Sequence, residues 1–386
     1  MTHASSFCKA HSCDALKALF AKPHLCHKPL MDSDTQKRIM AMLHAQTDGL
    51  NKGDPISPPI VSTAKYLLPG EPDTPYVYGR DINPTVEAAE AALNAIEDAK
   101  TVAFPTGMAA ITAGLMVTCK PGDRIVVPSD GYFVTRALLD EALSGLGLTV
   151  DLLKTTEFET ADLTPYDTVW LETPSNPGLD LCDIAKVAAK LNGKKTKLVV
   201  DNTTLTPLLQ RPLDLGADLV VASDTKAMAG HSDVLFGHIA TRDDALLKKA
   251  LRWRKLCGSV AGPWEAFLVH RGLMTLELRL ERMCSNARTL YHRLAASLGT
   301  SKLQLIKYPN IGFVMGLTFA DTETADQFIN DCPAIFPSTS FGGIHTSAER
   351  RARWGDDVPG GYVRLSVGCE PEAALIDAIE ATLATL

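Results

Sequence analysis

The sequence lacks the features that mark several large classes of protein. Its 386 residues carry a formal net charge of −7 without any basic tract, which disfavours nucleic acids and anionic membranes as partners. No apolar run approaches the roughly 18 residues that a membrane-spanning helix needs. The N-terminus has no charged segment followed by an apolar one, so we see no secretory signal. We therefore expect a cytoplasmic protein with no nucleic-acid or membrane partner.

Cysteines are present but form no recognisable pattern. The nine are odd in number and scattered, and no Cys-x-x-Cys occurs, which indicates reduced thiols. Three of them, Cys8, Cys13 and Cys26, lie among four histidines in the first 30 residues. Their spacing matches no zinc pattern. This favours a poorly ordered extension over a metal site, with the body of the protein beginning near Asp32.

From Pro84 onward, helical patterns alternate with short apolar runs. The predicted strands cover 124–128, 150–153, 168–172, 198–201, 219–222 and 234–239. The predicted helices cover 85–98, 106–118, 135–146, 183–191 and a region from 246 onward. Alternation of this kind, with nearly continuous apolar strands, predicts an α/β fold with a large, mainly parallel sheet covered on both faces.

The segments on either side of this region differ from it. Residues 52–79 are rich in proline, glycine and aspartate and form a predicted arm. After about residue 263 we predict a long helix over 265–295, strands over 313–319 and 362–367, and a final helix over 370–386. We therefore divide the chain into an extension and arm (1–83), an α/β domain (84–262) and a smaller C-terminal α+β domain (263–386).

Lys226 is the most informative residue in the sequence. It follows the apolar run 217–222 and has a hydroxyl residue on either side of Asp224, namely Ser223 and Thr225. Ligands of α/β proteins usually bind at the carboxyl ends of strands. An amine held there, beside hydroxyls that could bind a phosphate, is typical of the lysine that binds pyridoxal phosphate (PLP) covalently.

The other groups that PLP needs also have candidates near strand ends. Asp201 could pair with the pyridine nitrogen, although an isolated strand-end aspartate more often caps a helix or a loop. Gly107 and Met108 open a predicted helix, whose free N–H groups favour an anion such as a phosphate. Tyr132 could stack on the cofactor ring or simply pack in the core. Each candidate is weak alone and gains weight beside Lys226.

Arg364 lies within the apolar run 362–367. An arginine in a strand is rarely buried without an acidic partner. Its planar guanidinium could hold the carboxylate of an amino-acid substrate by two hydrogen bonds. A structural ion pair is the other interpretation, and the sequence leaves both open.

Several short segments, in this order, resemble the transsulfuration family of PLP-dependent enzymes, which includes cystathionine lyases and synthases and methionine γ-lyase. The segments are YGRDINPT (78–85), ETPSNP (172–177), VDNT (200–203), SDTKAMAGHSD (223–233) and RLSVG (364–368). The likeness runs from about Gly53 to the C-terminus. It implies the type I fold of PLP-dependent transferases.

The resemblance also implies roles for individual residues. Tyr78 and Arg80 would reach the cofactor phosphate of a neighbouring subunit, and Tyr78 would assist proton transfer. Asn176 would contact the cofactor ring oxygen and, with Arg364, the substrate carboxylate. Ser340 would help to orient that carboxylate. The active unit would be a homodimer, usually paired into a homotetramer.

Departures from the family pattern cluster where the substrate tail would lie. Phe133 and Val134 follow Tyr132 where the family usually has Gly-Gly or Gly-Cys, so the cysteine typical of methionine γ-lyase is absent. Thr339 stands where cystathionine γ-lyases tend to carry a glutamate, and segments 340–346 and 347–354 are also unlike the common members. Substrate choice is therefore the part of the assignment that the sequence supports least.

The resemblance implies a carbon–sulfur lyase, most closely cystathionine γ-lyase, which yields cysteine, 2-oxobutyrate and ammonia. Cystathionine γ-synthase and β-lyase are alternatives within the family, and methionine γ-lyase is a weaker one. A binding protein without catalysis is disfavoured because Lys226, Asp201 and Arg364 are all present. A nicotinamide dehydrogenase is disfavoured because no Gly-x-Gly-x-x-Gly follows the first predicted strand.

Overall fold

The computed structural model describes residues 32–45, 47, 49–296, 298–299 and 302–386. The extension with Cys8, Cys13 and Cys26 lies outside the described residues. Helices α1 to α11 are Ser33–His44, Pro84–Glu97, Gly107–Thr118, Phe133–Ala137, Ile184–Leu191, Thr206–Leu209, Asp244–Cys257, Pro263–Leu273, Leu276–Ala296, Thr322–Asp331 and Glu372–Thr385. Strands β1 to β12 are Lys100–Phe104, Arg124–Pro128, Thr149–Leu153, Thr168–Glu172, Lys197–Asp201, Leu219–Ala222, Gly237–Thr241, Leu303–Lys307, Val314–Phe319, Phe336–Pro337, Ser347–Arg350 and Tyr362–Ser366.

The larger sheet has seven strands in the order β1-β7-β6-β5-β4-β2-β3. All neighbours are parallel except β7, which runs antiparallel to both β1 and β6. Helices cover both faces: Val199 packs in a cluster with residues of α3 and α7, whereas the next residue, Val200, packs with residues of α5. Because both faces are buried, these strands are continuously apolar, and the predicted α/β fold is confirmed.

The smaller sheet has five strands in the order β10-β11-β12-β9-β8. Its pairings are antiparallel except for the short β10–β11 pair. Its core includes Leu290 of α9, Phe328 of α10 and Ile379 of α11. The boundary at residues 262 and 263 stays a prediction. No helix in the described ranges is both long and apolar enough to cross a membrane.

The carboxyl ends of the central strands lie side by side and form one edge. Strand β4 ends at Glu172, β5 at Asp201 and β6 at Ala222. The register places Glu172 opposite Asp201, and Asp201 opposite Val221. Side chains that follow these ends therefore converge, as in other open α/β sheets.

Three predicted elements differ from the structure. The helix predicted over 265–295 is two helices, α8 and α9, which separate after Leu273. The helix predicted over 135–146 begins earlier, at Phe133, then widens into a π-helical turn and ends in a 3₁₀ turn before Gly147, which has a φ of 63°. The strand predicted over 234–239 begins only at Gly237, because Phe236 exchanges hydrogen bonds with Thr225 instead of a neighbouring strand.

Strands β1, β8 and β11 and helix α10 are elements that the sequence patterns did not indicate. Strand β1 is short and begins three residues after the end of α2. The apolar pattern of α2 makes the start of β1 difficult to recognise in the sequence. Strand β11 carries charged residues at its C-terminal end, Glu349 and Arg350. Short segments whose burial depends on partners distant in sequence give little local signal.

Candidate functional site

A cavity of about 550 Å³ lies at the carboxyl edge of the larger sheet. Ten of the twelve predicted site residues line it: Gly107, Met108, Tyr132, Asn176, Asp201, Ser223, Thr225, Lys226, Ser340 and Arg364. They come from seven different parts of the chain, so the fold brings together residues that are far apart in the sequence. Tyr78 and Arg80 are not among the lining residues.

Lys226 lies at the centre of this cavity. Its Nζ donates a hydrogen bond to Ser340 Oγ at 2.8 Å and lies 5.4 Å from the centre of the Phe341 ring. Burial of the amine, followed by the positive charge of Arg364, lowers the pKa of Lys226 from 10.5 to about 8. An amine with this pKa is partly neutral near physiological pH, as a nucleophile must be.

Asp201 ends β5 and is buried. It accepts hydrogen bonds from Thr203 N at 3.0 Å and Thr203 Oγ1 at 2.6 Å, and that hydroxyl oxygen in turn accepts the N–H of Ser223 at 2.9 Å. Burial raises the pKa of Asp201. The local turn predicted as the alternative is thus present, and the carboxylate also lines the cavity.

Glu172 is a site residue that the sequence analysis missed, although it is part of the ETPSNP segment. Its carboxylate lines the cavity and accepts the N–H of Tyr132 at 2.6 Å. Burial, and then the charge of Asp201 on the adjacent strand, raises the pKa of Glu172 well above its ordinary value. Its position at the end of a buried strand, in register with Asp201, was the available signal.

The start of α3 forms a cradle for an anion. Its first N–H groups, those of Gly107 and Met108, have no acceptor within the helix because of helix geometry. A Cβ added at Gly107 would lie 2.5 Å from both Cβ and Oγ of Ser223. Only glycine lets the helix start and the Ser223 hydroxyl approach so closely, and the donors suit a phosphate. The site therefore fits the cofactor predicted from the sequence.

Arg364 is buried on β12 and holds two carbonyl oxygens and a carboxylate. Nη1 donates to Asn176 Oδ1 at 2.6 Å, Nη2 donates to Ser340 O at 3.2 Å, and Nη2 also bonds Glu349. Its Nε is buried and has no hydrogen-bond partner among the described residues. Burial, then the charge of Arg351, lowers the pKa of Arg364 to about 10. The ion pair is therefore present, and it leaves one donor of Arg364 without a partner, so the role as a substrate-carboxylate clamp stays a prediction.

Glu349 and Arg351 are the other residues that sequence reasoning missed. Glu349 lies opposite Arg364 in the β11–β12 register and also bonds Arg351 Nη1 at 2.8 Å and Trp354 Nε1 at 2.9 Å. Burial opposes its charge, but Arg364 and Arg351 hold the pKa of Glu349 below its ordinary value. Within segment 347–354, which departs from the family pattern, Arg351 and Trp354 line the cavity, and Glu349 bonds both of them without lining it.

Tyr132 lines the cavity, whereas Tyr78 and Arg80 do not. Tyr132 is half-buried, lines the cavity and packs edge-on against Phe133, with ring centres 5.7 Å apart. Tyr78 is 42% exposed, and the Arg80 guanidinium lies 5.3 Å from the centre of its ring. Within one chain, these last two residues do not contribute to the cavity.

The chain matches a known protein family over most of its length. The family model described as Cys/Met metabolism PLP-dependent enzyme matches residues 40–384. The chain belongs to this family. It is therefore a PLP-dependent enzyme of sulfur amino-acid metabolism, which confirms the cofactor, the family and the enzyme class predicted from the sequence.

Individual relatives of the enzyme carry different names. A Streptomyces coelicolor protein whose name refers to cystathionine γ-lyase is 39% identical over 355 residues, which cover 86% of this chain and 89% of that protein. Cystathionine γ-synthase of Mycobacterium tuberculosis is 34% identical over 337 residues, 80% of this chain and 86% of that protein. The solved structure of cystathionine γ-synthase from Xanthomonas oryzae in complex with cystathionine is 29% identical, with a TM-score of 0.84 over 90% of this chain and 97% of that one.

Proposed function

We propose that the enzyme is a cystathionine γ-lyase, which cleaves cystathionine to cysteine, 2-oxobutyrate and ammonia. The observation that carries this proposal is one cavity that combines the buried amine of Lys226 with the carboxylate of Asp201 and the free Nε of Arg364. These groups match what a PLP enzyme needs to hold its cofactor and an amino acid. The names of its relatives support the choice of cystathionine as substrate.

The cofactor is held, in this proposal, by residues that line the cavity. Lys226 would form the covalent link, and Asp201 would pair with the pyridine nitrogen. Tyr132 would pack on the ring, and Asn176 would bond the ring oxygen. The N–H groups of Gly107 and Met108 and the hydroxyls of Ser223 and Thr225 would hold the phosphate. The cradle at the start of α3 supports this placement, because its unpaired donors suit an anion.

The reaction then follows from the positions of the protein's own groups. Bound PLP supplies a sink for the electrons left on the substrate α-carbon. Lys226, with a pKa near 8, removes the α-proton and moves it along the substrate. Arg364 binds the substrate carboxylate through its free Nε, and Asn176 assists it. Ser340 holds the lysine amine close to that carboxylate.

The arm completes the site of a neighbouring subunit, in this proposal. Tyr78 and Arg80 are exposed or half-exposed and lie outside the cavity of their own chain. The Arg80 guanidinium suits the cofactor phosphate, and the Tyr78 hydroxyl suits protonation of the leaving thiolate. The enzyme would therefore work as a homodimer, and two dimers would pair as a tetramer.

We place it in the cytoplasm, since each described cysteine is unpaired.

Substitution Lys226→Ala tests the core of the proposal. Turnover and the visible absorbance of the lysine-bound cofactor should both disappear. Lys194→Ala, which changes an exposed lysine outside the cavity, is the matched control and should retain both. Visible absorbance that persists in the Lys226→Ala protein would contradict the assignment of this lysine.

The products distinguish the lyase from its relatives. With cystathionine as substrate, γ-cleavage yields 2-oxobutyrate and β-cleavage yields pyruvate, which chromatography of the keto acids separates. Because one of the relatives is a γ-synthase, formation of cystathionine from cysteine and an activated homoserine is measured in parallel. Faster synthesis than cleavage would favour the synthase.

Mixed dimers test the exchange of the arm. Lys226→Ala and Arg80→Ala subunits are each inactive alone, but a mixed dimer contains one intact site if Arg80 acts across the interface. Refolding an equal mixture should restore about a quarter of the wild-type activity, since half of the dimers are mixed and each has one of two sites. No recovery would place Arg80 in the site of its own chain.

A further inference from the structure

A buried histidine lies between two carboxylates beside the lysine turn. His238 Nδ1 is 2.8 Å from Asp224 Oδ1 and 3.0 Å from Oδ2, and Nε2 is 3.2 Å from Glu97 Oε1. His238 and Asp224 are fully buried, and Glu97 is 3% exposed. We call Glu97, Asp224 and His238 the buried triad. None of its members lines the cavity of the site.

The positions of the two carboxylates favour a His238 ring that is protonated on both nitrogens. A neutral imidazole has one N–H group and would turn a lone pair towards one of the two carboxylates. An imidazolium donates to both. Although burial opposes the charge, Asp224 and Glu97 raise the pKa of His238 to about 10. At neutral pH the triad is thus a cation held between two carboxylate side chains.

The triad connects the lysine turn to the sheet. Asp224 separates Ser223 from Thr225 and comes two residues before Lys226. His238 is on β7, in register with Ala222 of β6, the strand that leads into the turn. Glu97 ends α2, which packs behind β1. The side chain of Asp224 therefore ties the turn to β7 without lining the cavity.

A second tie attaches the same turn to the start of β7. Thr225 N donates to Phe236 O at 3.2 Å, and Thr225 Oγ1 accepts the N–H of Phe236 at 2.9 Å. With the Asp224–His238 contact, two consecutive residues of the turn are anchored to one segment. Lys226 directly follows these two anchored residues.

We propose that the buried triad positions the Ser223–Lys226 turn for the cofactor, so that its hydroxyls and amine point into the cavity without any triad member touching PLP. The proposal rests on the proposed roles of Ser223, Thr225 and Lys226. Stability alone is a poor reason for the triad, because well-packed apolar residues often stabilise a core as much as buried ions do. What apolar residues cannot supply is a directional tie to the turn.

Replacement of the whole triad by apolar residues separates positioning from stability. The variant combines Glu97→Met, Asp224→Ala and His238→Leu, so that no charge is left without a partner. We expect an unfolding midpoint in urea close to that of the wild type. We also expect the dissociation constant for PLP to rise by about 10- to 100-fold. This is the range by which metal affinity falls when residues that orient metal ligands are removed, and the triad would orient the PLP-binding groups in the same way. Spectroscopic titration of the apoenzyme with PLP measures that constant.

Single variants at Asp224 add a test of the tie itself. Asp224→Asn retains an oxygen that accepts from His238 Nδ1 and should keep PLP affinity near the wild-type value. Asp224→Ala removes the tie and should bind PLP as weakly as the triple variant. If Asp224→Asn and Asp224→Ala bound PLP with equal affinity, a directional role for the Asp224–His238 contact would be contradicted.

A second buried ion pair provides the matched control. Glu90 of α2 and Arg254 of α7 are 2.5 Å apart and mostly buried, and neither residue contacts the turn. Replacing both by methionine should leave the affinity for PLP unchanged. An unchanged affinity in the triple variant, or failure of every triad variant to fold, would reduce the triad to a structural role and overturn the proposal. Failure of the proposed function is seen separately, as visible absorbance retained in Lys226→Ala.

Discussion

Lys226 of the apoenzyme should lose its proton near pH 8, whereas an ordinary lysine side chain does so near pH 10.5. Burial is the largest cause, and the charge of Arg364 adds to it, while Glu349 and Asp201 act in the opposite direction. At pH 7 about one-tenth of the amine would be neutral, against about 0.03% for an ordinary lysine, a difference of about 300-fold. This population is what lets the amine attack an aldehyde at neutral pH.

Competitive acetylation of the apoenzyme measures this pKa directly. Trace acetic anhydride labels only neutral amines, so mass spectrometry of the peptide that contains Lys226 gives its neutral fraction at each pH. Free Nα-acetyl-lysine in the same solution is the reference. A midpoint near pH 10.5 would refute the argument that burial and Arg364 tune this amine.

The variant Arg364→Met tests the electrostatic part of the argument. It removes the largest unfavourable charge acting on Lys226 and leaves Glu349 and Asp201, which favour the protonated amine. The midpoint of labelling should therefore move to higher pH than in the wild type. A midpoint that stays in place would exclude Arg364 as a cause of the shift and leave burial and Arg351.

Three further predictions concern groups around the site. Glu349→Gln removes the anion shared by two buried arginines and should lower the free energy of unfolding by ~3–5 kcal/mol, measured in urea. Gly107→Ala places a Cβ 2.5 Å from Ser223 and should weaken PLP binding by ~1–3 kcal/mol in a spectroscopic titration; unchanged affinity would contradict the need for glycine in the cradle. The pKa of His238 is raised from 6.5 to about 10, so its stabilisation is complete below pH 6.5 and declines as the pH rises to 10. Chemical unfolding across this range should show a loss of several kcal/mol that the apolar triad variant lacks; equal profiles would contradict the charged state of His238.

Much of the site could be predicted from local sequence because its chemistry follows strand ends. The runs that became β2, β4, β5 and β6 are apolar on both faces, and the residues just after them are constrained to one edge of the sheet. That constraint predicted that Asp201 and Lys226 lie close together, and both line the same cavity. The family resemblance then added Asn176, which belongs to the ETPSNP segment, and Ser340.

Other parts of the site depend on pairings between distant segments. Glu349 meets Arg364 only because β11 and β12 pair in one register, and a shift by one residue would turn Glu349 away from it. Burial raises the pKa of Glu172, and Asp201 on the neighbouring strand adds to that effect. No local pattern encodes which strand will be the neighbour, so the sequence did not indicate these two carboxylates as site residues.

The amino-acid sequence by itself thus determined the fold class and the cofactor and predicted which lysine binds it, because apolar runs and short motifs carry that information locally. Only the tertiary structure decided the environment of these groups. It buried Lys226 and brought Arg364 close to it, which together lower the pKa of the amine, gave Arg364 its partner Glu349, and closed Asp224, His238 and Glu97 into a buried triad. Electrostatic effects act through space and depend on burial, and both are properties of the folded chain.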